Sequence, residues 1–241
     1  MKFSQNDLEN IEYIDFHTHQ EFDAPQYLNV VSCEPEEFEN HNNKAGSNTL
    51  FSVGIHPWLL KGSYDEFIDR MRILEKLLTK SNIIAIGEAG LDKTRGPAAA
   101  TQIVAFSEIL KTAVRINKPV IVHCVRFYPE IITLKKQFAP DLPIMIHGYN
   151  GKPPLLKQLF KHNCSVSLGL AGLNRRDVPE FLRANTQHLD RIALETDDSN
   201  VSVKSVYTRA CEVLDMNEQA LKNIMKENFK RFFFNDDNAQ N

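Results

Sequence analysis

The sequence predicts an α/β protein of the (β/α)8 TIM-barrel class, on three observations. Eight short apolar, β-branched runs recur along the chain, amphipathic helical stretches lie between many of them, and no Pro/Gly/Ser-rich linker or compositional shift divides the 241 residues. The runs cover residues 13–16, 28–33, 49–55, 83–86, 119–122, 143–146, 164–168 and 191–194. Most are nearly continuous in hydrophobicity, the pattern of parallel strands covered on both faces. Strand–helix alternation repeated to eight strands points to a barrel, with an open doubly wound sheet as the alternative, and residues 1–241 are read as one domain.

The helices are expected at about 63–80, 98–117, 129–138, 153–163, 178–185, 203–215 and 218–233. The first opens on Ser63-Tyr64-Asp65-Glu66, which has capping-box spacing, and places Phe67, Met71, Leu74 and Leu78 on one face. Only residues 20–27 separate the first run from the second, too few for an ordinary crossover helix. The barrel is therefore expected either to lack its first helix or to join its first two strands by an extended loop.

With 42% hydrophobic and 24% charged residues, the composition is that of an ordinary globular chain rather than a membrane or disordered one. A formal net charge of −3 gives no global attraction to nucleic acid, so DNA binding would need a local cluster of Lys, Arg or metal ions. The N-terminal Met1-Lys2-Phe3-Ser4-Gln5-Asn6-Asp7-Leu8 has no apolar core of signal-peptide type, and no apolar stretch is long enough to cross a bilayer. A cytoplasmic protein is expected, with no membrane association and no obligate protein partner. Cys33, Cys124, Cys164 and Cys211 lack CxxC spacing and are expected as reduced, buried thiols.

Reading each run to its C-terminal end, where barrel sites lie, turns the strand pattern into chemistry. The first run closes on His17-Thr18-His19; residues two apart on a strand point the same way, so both imidazoles can reach one ion. The third run leads to His56, the fourth to Glu88, the fifth to His123, the sixth to His147 and the eighth to Asp197. A lone His after an apolar run is ordinary, but recurrence at so many strand ends is not. Imidazoles with Asp and Glu suit Zn²⁺, Mn²⁺ or Fe²⁺, whereas Mg²⁺ prefers more oxygen. Leaving His56 aside, four His and two carboxylates exceed the three protein ligands usual for one catalytic zinc, and fit two ions sharing a bridging carboxylate.

The segments Asp15-Phe16-His17-Thr18-His19, Gly54-Ile55-His56-Pro57, Ile86-Gly87-Glu88-Ala89-Gly90-Leu91-Asp92, Val120-Ile121-Val122-His123, His147-Gly148-Tyr149-Asn150-Gly151 and Leu194-Glu195-Thr196-Asp197 resemble, in order, the motifs of the TatD family. These are metal-dependent hydrolases, described as deoxyribonucleases, among the amidohydrolase-type barrels. The resemblance extends to about Phe232, where Glu227-Asn228-Phe229 is similar to the family's Asn-containing closing helix. It implies that His17, His19, Glu88 and Asp197 hold one metal and Glu88, His123 and His147 the second, with Glu88 bridging. The chain departs from the family pattern in its short 20–27 segment, in Lys93-Thr94-Arg95 after Asp92, in Arg126 three positions beyond His123, and in Asp198-Ser199-Asn200 after Asp197. All six metal positions are intact, so the departures bear on substrate preference.

The expected cofactors are two divalent ions, Zn, Mn or Mg, and the expected reaction is hydrolysis of DNA phosphodiester bonds by a metal-activated water. Glu88 and Asp197 are the candidate catalytic residues, Asp197 being able to accept the nucleophile's proton as well as bind metal. His56, Lys93, Arg95 and Arg126 are the candidate substrate contacts, since guanidinium and ammonium groups suit phosphate; for His56 the competing role is to fix the loop begun by Pro57 and Trp58. The same ligand set also serves hydrolysis of a small phosphoester, amide or lactone in related barrels. A Cys124–His123 nucleophilic pair is disfavoured because adjacent strand residues point to opposite faces. His41, His162 and His188 are read as surface residues.

Overall fold

The computed structural model describes residues 5–20 and 24–234. Its eight strands are β1 (Tyr13–Thr18), β2 (Tyr27–Cys33), β3 (Thr49–Val53), β4 (Ile83–Asp92), β5 (Val120–Val125), β6 (Ile144–Ile146), β7 (Cys164–Leu168) and β8 (Ile192–Leu194). They form a single sheet in sequence order, and each pair with a defined register is parallel. Helices follow the strands: α1 (Phe38–Asn42), α2 (Tyr64–Leu77), α3 (Ala99–Ile116), α4 (Tyr128–Phe138), α5 (Pro153–Lys161), α6 (Leu170–Leu173), α7 (Asp177–Ala184), α8 (Val203–Leu214) and α9 (Glu218–Phe233). This alternation and strand order are those of the (β/α)8 barrel class.

Between β1 and β2 no helix occurs among the described residues, in keeping with the short connection; residues 21–23 of that connection lie outside them, as do residues 1–4 of the N-terminal stretch. Neither α1 nor the four-residue α6 was expected, both being too short to show helical periodicity. Among the described residues no helix is long and apolar enough to cross a membrane.

By internal contacts the chain divides into two compact units. The first holds the chain up to Val31, Gly46–Thr49 and the chain from His147. Here β1 is buried along its whole length and carries α8 and α9 on aromatic side chains. Tyr13 meets Tyr207 edge-on at 5.2 Å, and Phe16 meets Phe229 at 5.5 Å. The Tyr207 hydroxyl accepts from the Ile14 amide at 3.1 Å, tying α8 to the strand backbone. From α9, the buried Asn228 amide donates to the carbonyls of Leu189 and Ile192, both at 2.7 Å, which fixes the chain as it enters β8.

The second unit holds Ser32–Ala45 and Leu50–Ile146. Its α2 begins with the expected capping box: Ser63 Oγ accepts from the Glu66 amide and Glu66 Oε2 accepts from the Ser63 amide. Phe67, Met71, Leu74 and Leu77 form its buried face. Ser63→Ala is expected to destabilise the protein by about 1 kcal/mol, read from the urea midpoint, because one helix N-terminal N–H then loses its acceptor.

The strands β4 and β5 run further than their apolar runs suggest. Glu88 and Asp92 lie within β4 and His123 within β5, rather than just past the strand ends. The extension depends on two glycines. Gly87 and Gly90 have φ of 145° and 153°, and a Cβ at either position would collide with a carbonyl oxygen of β5, that of Ile121 or His123 respectively. Without side chains the two backbones approach closely, and the register shifts between Ile86 and Ala89 in the segment that carries Glu88.

Cys33, Cys124 and Cys164 are buried thiols, while Cys211 is half-buried. His41, His162 and His188 are half-buried rather than at the open surface. For His188 the reason is aromatic packing, with ring contacts to Phe160 at 4.8 Å and Phe181 at 6.1 Å.

Candidate metal centre

In the first unit, the backbone brings the end of β1 to the segment after β8. The Asp197 amide donates to the His17 carbonyl at 3.0 Å and the His19 amide to the Asp197 carbonyl at 3.4 Å. This pairing aims three side chains together: Asp197 Oδ1 stands 3.5 Å from His17 Nε2 and 3.6 Å from His19 Nε2. His147 joins them, its ring 4.2 Å from that of His17. Ligand atoms of His17, His147 and Asp197 all lie within 4.8 Å of one another, and the same holds for His19, Asp197 and Asp198.

Beneath this cluster lies a polar floor that sequence reasoning did not single out. Asp15, fully buried, accepts from the Thr196 amide at 3.0 Å and the Thr196 hydroxyl at 2.6 Å, which sets the residue just before Asp197. Burial pushes the Asp15 carboxyl up to about 7 despite those hydrogen bonds. Glu195 accepts from the Gly148 amide at 2.5 Å and from the Ser167 hydroxyl, holding the turn that presents His147. Its carboxyl is pushed up to about 8, chiefly by burial and further by Asp197, against the lowering influence of His147. The one available sequence signal was polarity: acidic residues inside otherwise apolar runs need partners when buried.

In the second unit, Glu88 is the hub. Its Oε1 lies 2.7 Å from His123 Nδ1 and 3.1 Å from His56 Nε2. The tautomer of His56 follows from its other nitrogen. Nδ1 accepts from the Trp58 amide at 3.1 Å, so Nε2 carries the proton and donates to Glu88. The structure thus places His56 as a holder of the Glu88 carboxylate and also as the start of its loop. That loop is braced in turn, since the His56 amide donates to Glu34 at 2.9 Å and Arg70 binds Glu34 and the Leu59 carbonyl.

Asp92, like Asp15 and Glu195, has no assigned role in the sequence reading. Burial alone would raise its pKa, but hydrogen bonds from Thr94, Trp58 and His123 outweigh it and hold the carboxyl well below the usual carboxylate range. The candidate substrate contacts gather nearby. The Lys93 amide donates to Val125 at 3.0 Å, beside exposed Arg126 with its left-handed φ of 61°. The Arg95 guanidinium lies 4.6 Å from the centre of the Trp58 ring, in cation–π range.

The donor sets fit divalent ions. Each unit offers imidazole nitrogens and a carboxylate within 4.8 Å of one another, one from His17, His147 and Asp197 and one from His56, Glu88 and His123. Mixed nitrogen and oxygen ligation of this kind suits Zn²⁺ or Mn²⁺. Of the second set, His56 turns its protonated nitrogen toward Glu88, which leaves Glu88 and His123 as the candidate donors.

A family profile described as TatD related DNase matches residues 14–234. Among curated proteins, the "3'-5' ssDNA/RNA exonuclease TatD" of Edwardsiella piscicida is 30% identical over 211 residues, covering 76% of each chain. The "Deoxyribonuclease Tat-D" of Schizosaccharomyces pombe is 26% identical over 181 residues, spanning 70% of this chain but 57% of the yeast protein. Among solved structures, YjjV, a TatD homologue from Escherichia coli K12, superposes with a TM-score of 0.80 at 20% identity, covering 93% of this chain and 98% of that one, and so shares the fold. With its profile match running from β1 to the end of α9, the chain belongs to the TatD-related DNase family.

Proposed function

We propose that the protein is a divalent-metal-dependent nuclease that hydrolyses phosphodiester bonds of DNA, acting as one catalytic domain in the cytoplasm. The observation that carries this reading is the pair of imidazole–carboxylate sets, each compact enough to hold an ion. The names of the relatives, which include a deoxyribonuclease and an ssDNA/RNA exonuclease, support a single-stranded nucleic acid as substrate.

In this reading His17, His19, His147 and Asp197 serve as ligands in one unit, and Glu88 and His123 in the other. When bound, the ions supply an activated water and neutralise charge on the phosphate. The remaining work falls to the chain's own groups. Asp197, half-exposed at its carboxylate, takes up the proton released by the attacking water. His56 steadies Glu88 through its Nε2–H. Lys93, Arg95 and Arg126 bind the substrate backbone phosphates, and Arg95 is oriented by the face of Trp58.

The test is chelation and return of metal on a single-stranded DNA oligonucleotide, with RNA and small phosphoester, amide and lactone substrates in parallel. Degradation should stop in chelator, resume on addition of Mn²⁺, Zn²⁺ or Mg²⁺, and bind substrate less tightly as salt rises. Degradation untouched by chelator contradicts the metal requirement. Turnover of a small substrate with intact DNA contradicts the nuclease assignment.

A further inference from the structure

Asp92 is 2% exposed, and five donors converge on its carboxylate. The Thr94 amide and hydroxyl, both at 2.6 Å, and the Arg95 amide, at 3.1 Å, bond Oδ1. The Trp58 indole N–H, at 2.7 Å, bonds Oδ2, and His123 Nε2 lies 3.2 Å from the same oxygen. A carboxylate so surrounded can only accept. The His123 nitrogen facing it must therefore bear a proton, and Nδ1, 2.7 Å from Glu88 Oε1, is then the ring nitrogen that can give up its own proton to an ion held beside Glu88.

We propose that Asp92 is the positioning residue of the second donor set: it commits the His123 proton to Nε2 and so makes Nδ1 the metal-binding nitrogen. The inference rests on the metal-dependent reading above. Carboxylates that accept from the remote N–H of a ligating imidazole fix the ring's tautomer and orientation. Asp92 adds a link beyond that, because the same group that orients His123 also accepts from Trp58 and from the Arg95 amide. One carboxylate thereby aligns a metal ligand with the arm proposed to bind phosphate.

Asp92→Asn is a sharp probe because an amide has one acceptor and one donor end. Turned with its NH2 toward Thr94 and Arg95, it would face two backbone N–H groups. Its favoured orientation keeps the oxygen there and points the NH2 at His123, whose Nε2 must then accept. The ring then keeps its one proton on Nδ1, that nitrogen is closed to an ion, and metal binding suffers while the strand stays in place.

The experiment is long-range ¹⁵N–¹H spectroscopy of the histidine rings in metal-free and zinc-loaded protein, with His123 assigned from a His123→Gln variant, alongside zinc affinity measured by dye competition. Wild type should show a proton on Nε2 both without and with metal, and zinc on Nδ1 in the loaded protein. Asp92→Asn should show the proton on Nδ1 and a zinc affinity about 10- to 100-fold weaker, with its melting temperature within a few degrees of wild type. A wild-type His123 with no proton on Nε2, zinc bound through Nε2, or an Asp92→Asn variant with wild-type affinity overturns the proposal. If that variant does not fold, the wild-type spectra alone decide. Should no zinc bind, the metal-dependent reading falls, while the metal-free tautomer still decides the role of Asp92.

Discussion

Asp197→Asn is expected to slow oligonucleotide degradation by about 10²- to 10⁴-fold, the usual contribution of a positioned general base, with little change in melting temperature. The substitution suits the backbone. Asp197 has a left-handed φ of 52°, a conformation that Asn tolerates better than most residues. The loop pairing with β1 uses backbone atoms that the substitution leaves intact. What disappears is the negative charge 3.5 Å from His17 Nε2 and 3.6 Å from His19 Nε2, and with it both a ligand and a proton acceptor. Single-turnover rates at saturating metal check the effect; a rate within about threefold of wild type would remove Asp197 from the chemistry.

The largest stability effect is expected at Gly90. Its φ of 153° is one that side-chain-bearing residues rarely adopt, and a Cβ there would overlap the His123 carbonyl oxygen. Gly90→Ala must either break the β4–β5 pairing beside His123 or hold a forbidden backbone, and should cost on the order of 3 kcal/mol or more. Gly169→Ala is the control. That residue has an extended backbone, and its Cβ would lie 3.4 Å from the Glu195 carbonyl oxygen, an ordinary contact. Urea titration of both variants should show a large loss for the first and a small one for the second; equal midpoints would refute the close-approach argument.

The eight strands were legible because parallel strands buried on both faces must be largely apolar, and β1, β4 and β6 are buried along their whole lengths. The start of α2 was legible because capping chemistry is local, confined to Ser63 and Glu66. The true length of β4 was not, since Gly87 and Gly90 read as strand breakers until the neighbouring backbone that they accommodate is seen. The same holds within the site. His17, His19, Glu88, His123, His147 and Asp197 stand out because each follows or ends an apolar run. Asp92 and Trp58 do not, because their roles depend on segments far apart in sequence, the loop after β3 and the strand β5, meeting at one carboxylate oxygen. Glu195 and Asp15 escaped notice for a related reason: their partners Ser167 and Thr196 come from other strands or strand ends.

The central claim is that these residues hold divalent metal for hydrolysis, and an anomalous-scattering map from crystals grown with Mn²⁺ or Zn²⁺ tests it most directly. The account predicts metal density beside Asp197, His17 and His147, and metal density at His123 Nδ1 beside Glu88. A protein that degrades DNA only with metal present, yet whose map shows no density at either set, would contradict it.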